Sequence, residues 1–197
     1  MGWRKAGPSA AYKPPMARKP SKEPLPVERR IAVLTTGGTI EKTYDEYTGA
    51  LANHQSIVRR RLARLRLSAT EVSVRELMSK DSLDLTEEDR QAILSATREA
   101  LASEPAQTGI VILHGTDTLA KTGELLHREL GQLRVPVVLT GAMRPFAMQR
   151  SDGVQNLTEA IFATGVLEPG VWCVFHGRAL RFPGVTKDRA RGTFVAG

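Results

Sequence analysis

Short apolar runs alternate with amphipathic segments along most of this chain. Runs of Ile, Val and Leu this short are typical of buried strands, and the segments between them carry apolar residues at helical spacing. The predicted strands are residues 31–34, 71–76, 109–113, 135–140 and 171–175. The predicted helices cover about residues 55–67, 86–102, 119–130 and 154–163. Strands that alternate with helices predict a parallel sheet with crossover helices.

Two stretches do not fit this alternation. Residues 41–53 are polar and lack both periodicities, so we predict a mobile loop over the end of the first strand. Residues 179–197 are basic, and we predict that they are irregular.

The charge is concentrated at the amino terminus. The whole chain of 197 residues carries a formal charge of +7, of which +6 falls within residues 1–30, a stretch that is also rich in proline. Such a segment buries too little apolar surface to offset its ordering entropy. We therefore predict a disordered arm over residues 1–30 and one domain over residues 31–197. The arm could bind nucleic acid or an acidic surface, or it could be an extension without a function.

Arginines also crowd the first predicted helix, at positions 59, 60, 61, 64 and 66. A solvated helix face is the simpler interpretation, because aromatic stacking partners for a nucleic acid are missing there.

The remaining composition limits the class of protein. A single cysteine, Cys173, lies in an apolar run and can build neither a disulfide framework nor a cysteine metal cluster. No apolar run is long enough to span a membrane, and no apolar h-region follows the first basic residues. We therefore expect a protein without a secretory leader or membrane contact, in the cytoplasm.

Hydroxyl- and glycine-rich segments follow the predicted strands. They are residues 35–40, 81–82, 114–118 and 141–145. Because ligands bind at the carboxyl edge of an open parallel sheet, we expect these segments to meet at one site. The alternative is that Thr116 or Asp117 only caps the following helix.

Four of these residues could perform acyl transfer to water. Thr39 and Thr116 would face each other, while Asp117 and Lys187 supply an acid and a base. A threonine hydroxyl becomes a nucleophile when a base removes its proton, and a lysine can be that base if its surroundings lower its pKa. Backbone N–H groups at glycine turns can stabilise the oxyanion. Residues with metal-ligand spacing are not found.

The combination of motifs resembles the amino-terminal domain of the bacterial-type L-asparaginases. The matching motifs, in family order, are TGGTI (36–40), DSxDxT (81–86), HGTDT (114–118), GAMRP (141–145), SDG (151–153) and VTK (185–187). The resemblance covers most of residues 31–190. It implies a three-layer α/β/α domain with a mostly parallel, flavodoxin-like sheet of about five or more strands.

The resemblance also implies an activity and a set of site residues. The activity is hydrolysis of asparagine to aspartate and ammonia without a cofactor or metal, in a homo-oligomer. Thr39 resembles the family's nucleophile, with a loop tyrosine as its partner; Tyr44 is preferred to Tyr47 because it is closer to Thr39 along the chain. The second set is Thr116, Asp117 and Lys187. The substrate-binding residues implied are Gly38, Asp81, Ser82, Gly115 and Ala142, with Asp81 and Ser82 holding the α-amino and α-carboxylate groups.

The sequence departs from the family in one respect. Typical members carry a second, carboxy-terminal domain, and a carboxylate from a neighbouring subunit's second domain helps to bind the substrate amine. The matching residues here stop near Gly197. We expect an active short form, since each catalytic position of the first domain holds the matching residue type.

Three functions remain open at this point. The first is a short asparaginase. The second is a related glutaminase or amidotransferase subunit, for which the basic arm could contact RNA. The third is a non-catalytic module that binds an amino acid. A module that only binds an amino acid would not require Thr39, Thr116 and Lys187 together.

Overall fold

A computed structural model describes residues 26–53 and 56–197, which contain ten strands and four α-helices. The strands are β1 (Arg29–Gly37), β2 (Thr43–Tyr44), β3 (Leu51–Ala52), β4 (Thr70–Lys80), β5 (Gly109–Leu113), β6 (Pro136–Thr140), β7 (Gly170–Phe175), β8 (Arg178–Arg181), β9 (Val185–Asp188) and β10 (Thr193–Ala196). The helices are α1 (Val58–Leu62), α2 (Glu87–Leu101), α3 (Leu119–Glu129) and α4 (Gly153–Ala163). Two 3-10 turns, Thr39–Glu41 and Ser82–Asp84, follow β1 and β4.

Six of these strands form the central sheet, in the order β4-β1-β5-β6-β7-β8. The first five are parallel to their neighbours, and β8 is antiparallel to β7. If the parallel strands alone are numbered along the chain, their order is 2-1-3-4-5, which is the flavodoxin-like arrangement. The predicted fold class is confirmed.

Helices cover both faces of the sheet, because successive side chains of a strand point to opposite faces. In β1, Ala32 and Leu34 pack with the core residues of α2 and α3, whereas Ile31 and Val33 pack with those of α1 and α4. Both layers are apolar where they meet the sheet. The result is the three-layer α/β/α domain that the sequence predicts.

The predicted start of helix α2 at Thr86 is confirmed by the hydrogen bonds that cap the helix. The Thr86 hydroxyl accepts a hydrogen bond from the Asp89 N–H at 3.2 Å, and the Asp89 carboxylate accepts one from the Thr86 N–H at 2.9 Å. This reciprocal pair satisfies two amides that the helix itself leaves without partners.

The first predicted helix is much shorter than residues 55–67. Only Val58–Leu62 is α-helical, because the amides of Arg64 and Leu65 donate to carbonyls three residues earlier, those of Arg61 and Leu62. Four of its five arginines are exposed, in agreement with a solvated face, and Arg61 is partly buried. The guanidinium groups of Arg59 and Arg61 donate to the backbone carbonyls of Val74 and Phe146.

The segment that we predicted as a mobile loop, residues 41–53, contains a small hairpin. Strands β2 and β3 pair in antiparallel fashion, Thr43 with Ala52 and Tyr44 with Leu51. The strands have two residues each, which is too short for a period-2 pattern to be visible in the sequence.

The prediction of an irregular carboxy-terminal stretch is wrong. Strand β8 pairs with β7 through a two-residue turn at His176 and Gly177, which have φ values of +49° and +75°. Two positive φ values are what a tight hairpin turn requires. Strands β9 and β10 then form a second hairpin.

The amino-terminal arm falls mainly outside the described residues, which begin at position 26, so the prediction of a disordered arm is untested there. Strand β1 begins at Arg29, two residues before the predicted start. The Arg29 guanidinium donates to the Ile161 carbonyl at 2.6 Å and to the Thr164 hydroxyl at 2.7 Å. The last two residues assigned to the arm therefore belong to the folded domain.

No helix in the described part of the chain is long and apolar enough to cross a bilayer.

Candidate active site

The turns after β1 and β5 lie against each other at the carboxyl edge of the sheet. The register pairs Thr35 with Leu113, so the chain leaves both strands at the same level. A Cβ on Gly38 would lie 2.4 Å from the Cα of Gly115, so only glycine permits this approach. Gly38 and Gly115 immediately precede the two threonines of the predicted site. The packing of the two turns therefore brings Thr39 and Thr116 to the same region.

The turn after β4 closes the third side of this region. A Cβ on Gly115 would lie 2.5 Å from the Ser82 Cβ, and the Thr118 hydroxyl donates to the Ser82 carbonyl at 2.8 Å. Ser82 is buried, and its own hydroxyl has no hydrogen-bond partner among the described residues. A buried hydroxyl of this kind is costly unless a ligand engages it.

Lys187 reaches the site from the β9–β10 hairpin. Val185 is buried in the core and Thr186 is exposed, so Lys187 faces inward by strand alternation. The Gly184 amide donates to the Glu124 carboxylate of α3 at 2.7 Å, which fixes the start of the hairpin over that helix. Strand β9, which was not predicted from the sequence, therefore positions Lys187, a residue of the predicted site.

Thr116, Asp117 and Lys187 are in direct contact. The Lys187 Nζ lies 2.7 Å from the Thr116 Oγ1 and 3.1 Å from the Asp117 Oδ1. Thr116 is 4% exposed, so its hydroxyl is largely shielded from water. The residue before α3 is Thr118, and its side chain makes no cap hydrogen bond. The alternative that Thr116 or Asp117 only caps this helix is therefore wrong.

Two neighbours of this group were not predicted from the sequence. The Arg189 guanidinium lies 3.0 Å from the Asp117 Oδ1, so this carboxylate is shared by two cations. The Met143 Sδ lies 3.8 Å from the Thr116 Oγ1. Met143 belongs to the GAMRP motif and Arg189 follows VTK by two residues, which is the only sequence signal for them.

Asp81 is paired with Lys42, a residue that no motif in the sequence indicates. The Lys42 Nζ lies 2.7 Å from the Asp81 Oδ2, and the Leu83 N–H donates to the Asp81 Oδ1 at 3.1 Å. The hydrogen bond from Lys42 outweighs partial burial and holds the pKa of Asp81 below its usual range. Asp81 is therefore a stable anion that already has a cationic partner.

Thr39 and the loop tyrosines are not joined. Thr39 is half-buried at the start of its 3-10 turn, whereas Tyr44 and Tyr47 are 63% and 91% exposed. No hydrogen bond in the described part of the chain connects either tyrosine with Thr39. The choice of Tyr44 over Tyr47 thus stays a prediction.

A buried carboxyl group, that of Glu41, lies in the same 3-10 turn as Thr39. The Glu41 side chain accepts hydrogen bonds from the Gly37 N–H at 3.0 Å and from the Ser56 hydroxyl. Burial outweighs these bonds and raises the pKa of Glu41 above its usual value. Glu41 thereby fixes the glycine turn that presents Thr39.

The turn after β6 contributes Ala142, which is fully buried next to Gly141. A Cβ on Gly141 would lie 2.3 Å from the His114 carbonyl oxygen and 3.3 Å from the Thr116 Cγ2. Asp152, from the SDG motif, accepts hydrogen bonds from the amides of Met143 and Arg144, both at 2.9 Å. These contacts hold the backbone of residues 141–144 against Thr116.

The described residues include no group of three or more His, Cys, Asp or Glu side chains arranged to hold a metal ion. The polar groups at the site are hydroxyls, amines and carboxylates, and the Thr116, Asp117 and Lys187 side chains are already joined by hydrogen bonds. Such a set is suited to nucleophilic attack with proton transfer.

The fold is a three-layer flavodoxin-like domain, and threonines, a lysine and carboxylates lie at the carboxyl edge of its sheet. These features define a class of α/β proteins whose site is suited to nucleophilic attack by a hydroxyl group. The sequence model of the family "Asparaginase, N-terminal" matches residues 30–194. The chain belongs to the asparaginase family, as its motifs suggested.

Individual relatives support this assignment. The L-asparaginase of Thermococcus kodakarensis is 34% identical over 166 residues, which are 83% of this chain and 49% of that protein. The solved structure of the thermostable L-asparaginase from Thermococcus kodakarensis superimposes with a TM-score of 0.74 at 31% identity, over 85% of this chain and 51% of the other. A glutamyl-tRNA(Gln) amidotransferase subunit of Thermoplasma acidophilum is 34% identical over 139 residues, 70% of this chain and 33% of that protein. The chain thus spans about half or less of the length of these relatives.

Proposed function

We propose that the protein is an amidohydrolase that converts L-asparagine to L-aspartate and ammonia. The observation that carries the proposal is the contact of the Lys187 amine with the Thr116 hydroxyl at 2.7 Å, beside the Asp117 carboxylate. A shielded hydroxyl in contact with an amine can exchange a proton with it without an intervening water. A module that only binds an amino acid would not need this contact.

In the proposed reaction, the Thr39 oxygen attacks the carbon of the side-chain amide. Its proton passes through the Thr116 hydroxyl to Lys187, which passes one of its own protons to the Asp117 carboxylate. The oxyanion is held by backbone N–H groups of the turn after β5. The tetrahedral intermediate expels the amide nitrogen, which takes up the proton and leaves as ammonia. Water then hydrolyses the resulting threonine ester to give aspartate. No cofactor or metal takes part.

The remaining site residues would hold the other end of the substrate. Asp81 would face the α-ammonium group, and the unpartnered hydroxyl of Ser82 would donate to the α-carboxylate. The backbones of Gly38, Gly115 and Ala142 would form the walls, because the glycines leave no side chain between the two turns. Tyr44 would close over Thr39 when the substrate is bound.

A second function is favoured by one of the relatives. The similarity to a glutamyl-tRNA(Gln) amidotransferase subunit covers 70% of the chain, nearly as much as the similarity to an L-asparaginase. A protein of this kind would release ammonia from an amide for use on another carrier. A comparison of ammonia release from glutamine and from asparagine distinguishes this alternative from the asparaginase function.

Two further properties belong to the same proposal. We expect a homo-oligomer, because the resemblance to the family implies one. We expect a cytoplasmic location, since the single cysteine of the chain, Cys173, is buried and forms no internal disulfide framework. Gel filtration and cell fractionation test these two expectations.

An ammonia-release assay with L-asparagine, L-glutamine and urea tests the proposed function. We expect turnover of asparagine, weaker turnover of glutamine and none of urea. Preference for glutamine would favour the amidotransferase alternative, and no ammonia from any of the three would contradict both. Thr39→Ala should reduce turnover by at least about 10²-fold, as expected for loss of a nucleophile, without unfolding the protein.

A further inference from the structure

The pair formed by Lys42 and Asp81 lies between the elements that carry the predicted site. Lys42 follows the 3-10 turn of Thr39, and its amide donates to the Thr39 carbonyl at 3.2 Å. Asp81 precedes Ser82, which packs against Gly115. The two side chains are 25% and 31% exposed, so the pair lies at the mouth of the site rather than beneath it.

Both oxygens of the Asp81 carboxylate are engaged. Oδ2 accepts from the Lys42 ammonium at 2.7 Å, and Oδ1 accepts from the Leu83 amide at 3.1 Å. The Leu83 bond is local, since Asp81 caps its own 3-10 turn. The Lys42 bond joins residues 39 positions apart, so it depends on how the two turns are placed.

The other carboxylate of the site is also occupied. Asp117 is 3.1 Å from the Lys187 ammonium and 3.0 Å from the Arg189 guanidinium. Asp81 and Asp117 therefore face three cations in total. Both cations near Asp117 contact its Oδ1, whereas Asp81 has partners for both of its carboxylate oxygens.

A free α-ammonium group would carry the same charge as Lys42 and seek the same oxygen. Two ammonium groups that share one carboxylate repel each other at close range. The substrate must therefore displace Lys42 from Asp81, or bind beside it at a cost in affinity. An amide that lacks the α-ammonium group meets no such competition.

We propose that Lys42 determines the specificity of the site, because its ammonium group competes with the substrate's α-ammonium for Asp81. This inference rests on the proposed function, since it concerns the same site. Lys42 weakens the binding of asparagine and favours carboxamides of the same length without an α-ammonium group. Its effect falls on KM and leaves the chemical step unchanged, because the Lys42 amine is bound to Asp81 and not to Thr116 or Asp117.

Steady-state kinetics of ammonia release on two substrates test this role. The substrates are L-asparagine and succinamate, its analogue without the α-amino group. Lys42→Met should lower KM for asparagine about tenfold and change kcat less than twofold. The same variant should leave KM for succinamate unchanged or raise it, because unpaired Asp81 repels the anion. Lys42→Arg should retain the wild-type preference.

Lys80→Met is the matched control. Lys80 forms a comparable ion pair with Asp89 at 2.7 Å, in the same region of the chain but outside the site. Its removal changes the net charge by the same amount and should leave the preference for either substrate unaltered. Equal changes for both substrates in Lys42→Met, or the same shift in Lys80→Met, would overturn the inference. A higher KM for asparagine in Lys42→Met would also overturn it.

Failure of the proposed function would be visible separately. If the wild-type protein releases no ammonia from either compound, the function is wrong and calorimetric binding of L-aspartate and succinate decides the role of Lys42. Lys42→Met should then bind aspartate about tenfold more tightly relative to succinate. An unchanged ratio, or no binding of aspartate to either protein, would overturn the role of Lys42 as well.

Discussion

The Lys187 amine lies 2.7 Å from the hydroxyl of Thr116, although the two residues are 71 positions apart in the chain. Lys187 is held on a hairpin whose core residues are Val185 and Phe194, and Thr116 begins the segment that leads into α3. The contact therefore depends on how the carboxy-terminal hairpin packs over the sheet. It joins the base and the hydroxyl that the proposed reaction requires.

Replacing Lys187 by methionine should remove the base and preserve the shape of the side chain. We expect kcat for ammonia release to fall by about 10²–10⁴, the usual contribution of general acid–base catalysis. Lys121→Met, on the exposed side of α3, is the control and should leave kcat as it is. Wild-type turnover in Lys187→Met would exclude Lys187 as the base.

Gly38→Ala should destabilise the protein by about 3 kcal/mol, through a positive φ and a clash. The φ of Gly38 is +76°, and a Cβ there would lie 2.4 Å from the Gly115 backbone. Gly49→Ala measures the effect of the positive φ alone, since Gly49 has a φ of +70° and no atom within 4 Å of its Cβ position. This substitution should destabilise the protein by about 1 kcal/mol. Urea denaturation of both variants measures the difference. Equal losses would show that the contact between the two turns is not tight.

His114 should make stability depend on pH. Its ring is fully buried between the Gly115 carbonyl and the Thr122 hydroxyl, each at 2.8 Å, and burial lowers its pKa from 6.5 to about 4. The folded state therefore binds fewer protons than the unfolded state between these values. The contribution of neutral His114 to the free energy of unfolding is complete above pH 6.5. About 3 kcal/mol of that free energy is lost as the pH falls towards 4.

The measurement is urea denaturation at several pH values from neutral down to about 4. His114→Gln should be less stable than wild type at neutral pH, and the gap between the two proteins should narrow on acidification. A gap that stays constant over this range would show that His114 is not buried in its neutral form.

Removal of residues 1–25 should leave turnover and stability unchanged, because the composition of this stretch predicts a disordered arm. Removal of residues 1–30 should instead destabilise the protein by about 2 kcal/mol or more, through loss of the Arg29 hydrogen bonds to α4 and the residue after it. Thermal unfolding and ammonia release distinguish the two truncations. Reduced turnover after the shorter deletion would assign a function to the basic segment.

Most of the strands and helices that the sequence predicted contain a run or a face of buried apolar residues. Gly109–Leu113 is fully buried, and its apolar run marks it plainly. Strands β8 and β9 have only four residues each, and together they contain one buried residue, Val185, so they leave no such pattern. Their hairpins depend on turns with positive φ at His176, Gly177 and Gly192, which composition alone did not reveal.

The site was predictable in its residue types but not in its pairings. Thr116, Asp117 and Lys187 were recognised from motifs, and the order of the strands brings them together. The partner of Asp81 could not be foreseen, because Lys42 lies in a polar stretch without a pattern and pairs with a residue 39 positions away. The contact of Arg189 with Asp117 could not be predicted for the same reason.

The rate of ammonia release from L-asparagine, compared between the wild-type protein and Thr116→Val, tests the central claim most directly. Valine keeps the shape of the buried side chain and removes only the hydroxyl that Lys187 contacts. We predict turnover by the wild-type protein and a kcat/KM at least about 10²-fold lower for the variant, with the same circular dichroism spectrum. A variant whose rate is close to that of the wild-type protein would contradict this prediction.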